Sequence, residues 1–181
     1  MPVKHYSLSL STLGLVIGLA QPAISQSTGT PIGKIDASID GTSYAGATLK
    51  SAKGTGTASF RSFGPMSAVS IQGHDLTADN FMHNVLTVEF SVMGNDATGA
   101  VMDASVSWWP EGMNNAFYHS ENSGTETKVT LDALALDAGE SVTDGSFSAL
   151  LCRKESFFAE ADTDNCLPVE GTFGTALVNP E

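Results

Sequence analysis

The sequence predicts an all-β chain: an antiparallel β-sandwich, or a flattened barrel, of about 9–11 short strands held by one disulfide. Three observations predict it. Apolar and polar residues alternate at period two, most plainly where Leu86, Val88, Phe90 and Val92 interleave with Thr87, Glu89 and Ser91. That is the pattern of a strand with one buried face. Turn signals such as Asp40-Gly41, Gly64-Pro65 and Gly94-Asn95-Asp96 separate such segments at short intervals, as strand-to-strand connections require. The chain is also rich in Gly, Ser, Thr, Ala and Val, and it lacks the Leu/Glu/Lys/Arg-rich stretches that helices favour.

Taken in order, the chain begins with Lys4 and His5, an apolar run from Leu8 to Ala20, a break at Pro22 and the small-x-small triplet Ala23-Ile24-Ser25. These are the parts of a secretory signal peptide over residues 1–25, with cleavage before Gln26. The run is shorter than the roughly 20 apolar residues of a spanning helix, and no later stretch is apolar enough to span. Residues 26–181 then form a single domain, periplasmic or extracellular.

Ile32–Ile39 is the first expected strand, with Ile35, Ala37 and Ile39 on one face. Asp40-Gly41 turns it into Tyr44–Leu49, because glycine accepts a positive φ. Lys50–Gly56 is a loop, and Thr57–Phe63 and Met66–Gln72 are strands across Gly64-Pro65. His74–His83 is less regular: Thr77 could cap one helical turn through Asn80, and the segment could cross between sheets. Asn84–Met93 and Val101–Trp109 follow across a Gly94–Gly99 turn. In the second of these, Met102, Ala104, Val106 and Trp108 should face the core, and Asp103, Ser105, Ser107 and Trp109 the outside. Ala116–Ser120 and Thr125–Leu131 read as a hairpin, and Asp137–Ser141 as a turn into the closing pair.

That closing pair contains an internal echo. Gly145-Ser146-Phe147-Ser148-Ala149-Leu150-Leu151 is matched by Gly171-Thr172-Phe173-Gly174-Thr175-Ala176-Leu177. Between the two lies a polar, acidic stretch bracketed by Cys152 and Cys166, the chain's two cysteines. In an oxidising compartment an isolated pair forms a disulfide, and closing a loop of this size is worth about 3 kcal/mol.

The opening Ile39-Asp40-Gly41-Thr42-Ser43-Tyr44, the late stretch from Gly124 to Leu134 and the segment Val142–Phe147 together resemble small exported bacterial β-sandwich domains of unknown function. Those domains share a "dG-x-x-y" opening and a "G-x-v-x-i-t-x-l … v-x-G-x-F" close. The resemblance implies the fold and the compartment, and it brings no catalytic residues. The cysteine pair and the second G-x-F stand outside the shared pattern.

Charge narrows the partners. Twenty acidic residues face eight Lys and Arg, for a net charge of −12, and between Arg61 and Lys128 eight Asp or Glu occur with no Lys or Arg. Such a field repels nucleic acid and anionic membranes and favours cations or neutral ligands. No G-x-S-x-G elbow is present, and His74, His83 and His119, with Met82 or Met113, match no metal-binding spacing.

Two candidate sites remain. Trp109, expected outside beside Ser105 and Ser107, and Tyr118 in the next strand could stack on a sugar ring or anchor a protein partner. Asp162, Asp164 and Asn165 form an oxygen-rich cluster beside Cys166 that could hold calcium, the one metal the residues suggest; otherwise no cofactor is expected. The sequence therefore predicts an exported, non-catalytic binding or structural module that recognises carbohydrate or a protein partner through exposed aromatics. A calcium-binding or calcium-stabilised surface protein is the alternative, and a hydrolase the third reading.

Overall fold

The computed structural model describes residues 1–2, 29–136 and 140–180. Residues 3–25 of the expected signal peptide and its cleavage site lie outside the described residues, as do residues 137–139 of the turn expected before Ser141. Ten strands form: β1 Thr30–Ile39, β2 Thr42–Lys50, β3 Ala58–Phe63, β4 Met66–His74 and β5 Val85–Met93, then β6 Val101–Trp109, β7 Phe117–His119, β8 Lys128–Ala135, β9 Ser141–Lys154 and β10 Asp162–Leu177. None of the described residues is helical.

Every strand pairs antiparallel with its neighbours. The order β10-β1-β2-β4-β5-β6-β7-β9-β8 makes one sheet, with β3 on β4 and with β9 also paired to β10. The pairings run round in a ring that is thin at two corners. β4 leaves β3 and meets β2 at one residue pair, Ala47 with His74. β9 leaves β8 and meets the three-residue β7 at Lys154, Arg153 and Cys152. The result is a flattened sheet folded on itself rather than a regular barrel, because strands that change partner make corners.

The core lies between the folded halves. Leu86, Val88, Phe90 and Val92 of β5 are buried in the expected phase, as are Ile35 and Ile39 of β1. Phe90 meets Phe173 across the interior at a ring-centroid distance of 6.1 Å. The β1–β2 connection is a tight hairpin in which both Asp40 and Gly41 have positive φ, 48° and 78°; this mirror-image turn matches the twist of the strands it joins.

Three expectations are corrected. Thr77 caps no helical turn; Asp75 Oδ1 instead accepts the amide and hydroxyl of Thr77 at 2.8 and 2.7 Å, an Asx turn. Residues 75–84 do not cross between sheets, since His74 pairs with Val85 and the segment joins neighbouring strands. In β6 an extra residue interrupts the pairing with β5, so that Ser91 faces Met102 while Glu89 faces Ser105. Asp103 sits at this bulge with φ 50°. Met102 thereby joins the outer row, and Val101 packs against the core with Ala104.

β9 and β10 are the paired strands expected from the echo, and the disulfide Cys152–Cys166 joins directly opposed residues whose Cα atoms are 4.0 Å apart. It closes the base of the hairpin loop between the two strands.

Candidate ligand site

The two tryptophans end β6, and period-two geometry sends them to opposite faces. The expected faces hold, but the exposure reverses. Trp109 is only 7% exposed. It stacks on Phe117 at 4.0 Å with ring planes 6° apart, and its Nε1 donates to Ser107 Oγ at 3.0 Å. Phe157, from the β9–β10 loop, folds back to within 5.3 Å of Trp109 and 5.2 Å of Phe117. Trp109 is therefore a covered support rather than an open platform.

Trp108 faces inward at one end of the core, partly buried. In the strand register it lies opposite Tyr118, which lies opposite Arg153, which lies opposite Asp162. Indole, phenol, guanidinium and carboxylate thus occupy successive rungs of one row. The rings of Trp108 and Tyr118 stack at 5.5 Å. Tyr118 shares a face with Trp108, so the two residues singled out from sequence, Trp109 and Tyr118, do not form one site.

A chain of hydrogen bonds fixes Trp108. Its Nε1 donates to Asn84 Oδ1 at 2.8 Å, and Asn84 Nδ2 donates to Asp75 Oδ2 at 2.8 Å. Asn84 has φ 52°, a left-handed conformation that asparagine tolerates better than most residues. Burial alone would raise the Asp75 carboxyl, but hydrogen bonds from Thr77, Asn84 and Ala78 outweigh it and hold the group below its usual value. The buried Tyr44 hydroxyl ties the same corner together. It donates to the Gly73 carbonyl at 2.6 Å, with the Asn84 carbonyl at 3.1 Å, and accepts the Leu86 amide at 3.1 Å. Burial pushes its pKa well above the usual tyrosine value, so it remains a neutral hydroxyl.

Against Trp108 and the β1–β2 turn lies a pocket of about 270 Å³. Ile39 and Leu167 share its apolar wall with Trp108, and Asp40, Thr42, Ser43 and Asn84 place polar groups around it. An aromatic face with a few convergent polar side chains is the chemistry of a small-ligand site. No histidine lines the pocket, so neither Ser43 nor Thr42 has the adjacent imidazole base of a nucleophilic pair. Three larger hollows are present: two, of about 620 and 630 Å³, lie outside β8, β9, β10 and β1, and one of about 430 Å³ lies over β3, β4, β5 and β6, where Arg61, Phe63, Glu89 and Asp103 line it. All three are more open than the Trp108 pocket, and of the phenylalanines that line them Phe60, Phe90 and Phe147 are buried and Phe63 is exposed.

No family model, curated protein or solved structure matches the chain.

Asp162 lies on the row of Tyr118 and Arg153, while Asp162 Oδ1 accepts the amide of Asp164 at 3.2 Å in the irregular first residues of β10, which also carry Asn165. His74 is buried with Nδ1 3.0 Å from the Phe81 carbonyl. His83 Nδ1 is 2.9 Å from Asp79 Oδ1, and His119 Nδ1 accepts the Glu121 amide at 2.8 Å. Among the described residues no group of three or more His, Cys, Asp or Glu comes together to hold a metal ion.

The sequence alone places Trp108 in the core and gives Asn84 no role. The signal for Trp108 was available: of two adjacent tryptophans at a strand end, one must sit at the last inward rung. Nothing local marked Asn84, because its role depends on Asp75, Tyr44 and Trp108 meeting in space.

Proposed function

We propose that the chain is an exported, non-catalytic binding module that takes a carbohydrate in the pocket against Trp108. The observation that carries this reading is the Trp108 indole, held by Asn84 as the wall of a small pocket with Tyr118 stacked beside it. A flat aromatic face suits the C–H surface of a sugar ring, while Thr42, Ser43 and Asp40 suit its hydroxyls. Prior fixing of the indole limits the ordering cost of binding. The disulfide agrees with an oxidising compartment, and the net charge of −12 agrees with a neutral ligand rather than an anionic one.

The test uses tryptophan emission. The chain has two tryptophans, and Trp109→Phe preserves an aromatic ring on Phe117 while leaving Trp108 as the sole reporter. A panel of mono- and disaccharides should include members that shift or quench this emission saturably, and Tyr118→Ala should weaken the response. If no sugar at millimolar concentration changes the emission of the folded variant, the carbohydrate reading is wrong.

A further inference from the structure

On the opposite face of β6 and β7, the β9–β10 loop presents a second feature. Ala159 donates its amide to the Ser156 carbonyl at 3.1 Å, closing a tight turn whose two central residues are Phe157 and Phe158. Such positions favour Gly, Pro, Asn, Asp and Ser, which supply the turn geometry or bond to their own backbone. Two phenylalanines contribute nothing of that kind. Phe157 is compensated by its contact with Trp109 and Phe117, but Phe158 breaks the local rule and packs on nothing among the described residues, as functional positions do.

The two rings behave differently. Phe157 lies back on Trp109 and Phe117, and Phe158 is fully exposed. The turn stands on a firm base: the disulfide closes the hairpin beneath it, and the Trp109–Phe117 stack supports Phe157. The knob is thus pre-formed, which reduces the ordering cost of docking it.

Its surroundings are acidic. The segment 153–165 contains Glu155, Glu160, Asp162 and Asp164 against Arg153 and Lys154. Both cations are engaged, Arg153 by Glu155 and the buried Lys154 by Glu121 at 3.8 Å. The exposed carboxylates left in this loop beside the knob are therefore Glu160 and Asp164, Asp162 being on the row of Arg153 and Tyr118.

We propose that the Phe157–Phe158 turn is a docking knob for a protein partner whose surface offers an apolar pocket rimmed by Lys or Arg. Charge decides among the occupants. A second copy would bring the same acidic rim against itself, and an anionic membrane would repel it. A basic-rimmed pocket gains attraction at the rim and burial at the ring, the arrangement of an aromatic hot spot within a polar border. The knob is separate from the Trp108 pocket, so either site can fail without the other.

The experiment places p-benzoylphenylalanine at position 158, and in a control at the exposed outer position 148, in the cell that makes the protein. After irradiation, position 158 should give a discrete protein adduct that position 148 does not. The captured protein is identified, purified and titrated against the wild-type chain. Phe158→Ser removes no packed contact and should weaken binding by about 30-fold or more. The double change Glu160→Lys and Asp164→Lys should also weaken it, and added salt should weaken the wild-type complex. The proposal is overturned by equal labelling at both positions, by an adduct between two copies of the chain, by affinity that survives Phe158→Ser, or by affinity that rises with salt. It is equally overturned if the wild-type chain, but not Phe158→Ser, binds phosphatidylcholine vesicles, which would make the knob a lipid anchor.

Discussion

Phe173 of β10 stands directly opposite Gly145 of β9, and a methyl group added to Gly145 would come 3.0 Å from Cζ of its ring. The echo in the sequence explains why. When one G-x-F segment pairs antiparallel with another, each phenylalanine falls opposite the other's glycine, so Phe147 likewise faces Gly171. The two rings then lie over the glycines 6.5 Å apart in the core. The same methyl at Gly145 would also collide with the Thr130 carbonyl oxygen. Gly145→Ala should therefore destabilise the fold by about 1–3 kcal/mol, the usual range for overpacking. Phe173→Leu in the same chain should relieve only part of the loss, because the Thr130 backbone remains. Urea midpoints of the two single variants and the double variant measure both effects.

The disulfide links opposed residues at the base of a long hairpin loop, with a sequence separation of 14. Its contribution in the chain-entropy picture is about 3 kcal/mol. Cys152→Ala with Cys166→Ala should lower unfolding stability by roughly that amount, and the loss should match the effect of reducing the wild-type chain. A stability unchanged by either treatment would show that strand pairing alone holds β9 to β10.

The strands were legible in the sequence because most have one wet and one dry face, and alternation records this residue by residue. The β1–β2 turn was legible in Asp40-Gly41, and the disulfide followed from there being two cysteines. What escaped depends on residues far apart in sequence. Trp109 is covered because Phe157, from another hairpin, folds onto it. The β6 bulge at Asp103 puts Met102 on the outer face, and neither residue announces this locally. The pocket draws on the β1–β2 turn, Asn84, Trp108 and Leu167, four places whose meeting is a property of the closed sheet.

Asn84 ties Trp108 and Tyr44, both pocket residues, to Asp75 through its hydrogen bonds. Asn84→Ala must hold a left-handed φ with a Cβ and loses both side-chain bonds, for an expected cost of about 2–4 kcal/mol. Asn84→Gly loses the same bonds but accepts the conformation, so it should cost less. Both should leave the Trp108 indole free to rotate, and polarised emission from Trp108 in the Trp109→Phe background should fall accordingly. Equal destabilisation by Ala and Gly would show that the backbone at this position is not strained.

His74 is buried, stacked on Phe81 at 4.0 Å, with Nδ1 facing the Phe81 carbonyl. Because the carbonyl can only accept, Nδ1 carries the proton, and among the described residues buried Nε2 has no hydrogen-bond partner. Burial lowers the His74 pKa, and the hydrogen bond to Phe81 opposes it in part. Burial likewise lowers that of His119, against Glu121 and Glu89 and with Lys154. The folded chain thus binds fewer protons than the unfolded chain in this window, so stability rises with pH. The contribution is complete above the unfolded histidine value of about 6.5 and is lost as pH falls from there through the lower folded value. Asp75 and Asp96 are held below their usual values, and their contributions are lost only below about pH 4. Unfolding stability should therefore decline in two separate steps on acidification. His74→Phe keeps a ring on Phe81 and removes the titrating group, so it should flatten the upper step and leave a smaller slope from His119. Denaturant midpoints measured from pH 7.5 to 3 test this, and an upper step unchanged by His74→Phe would assign it to another group.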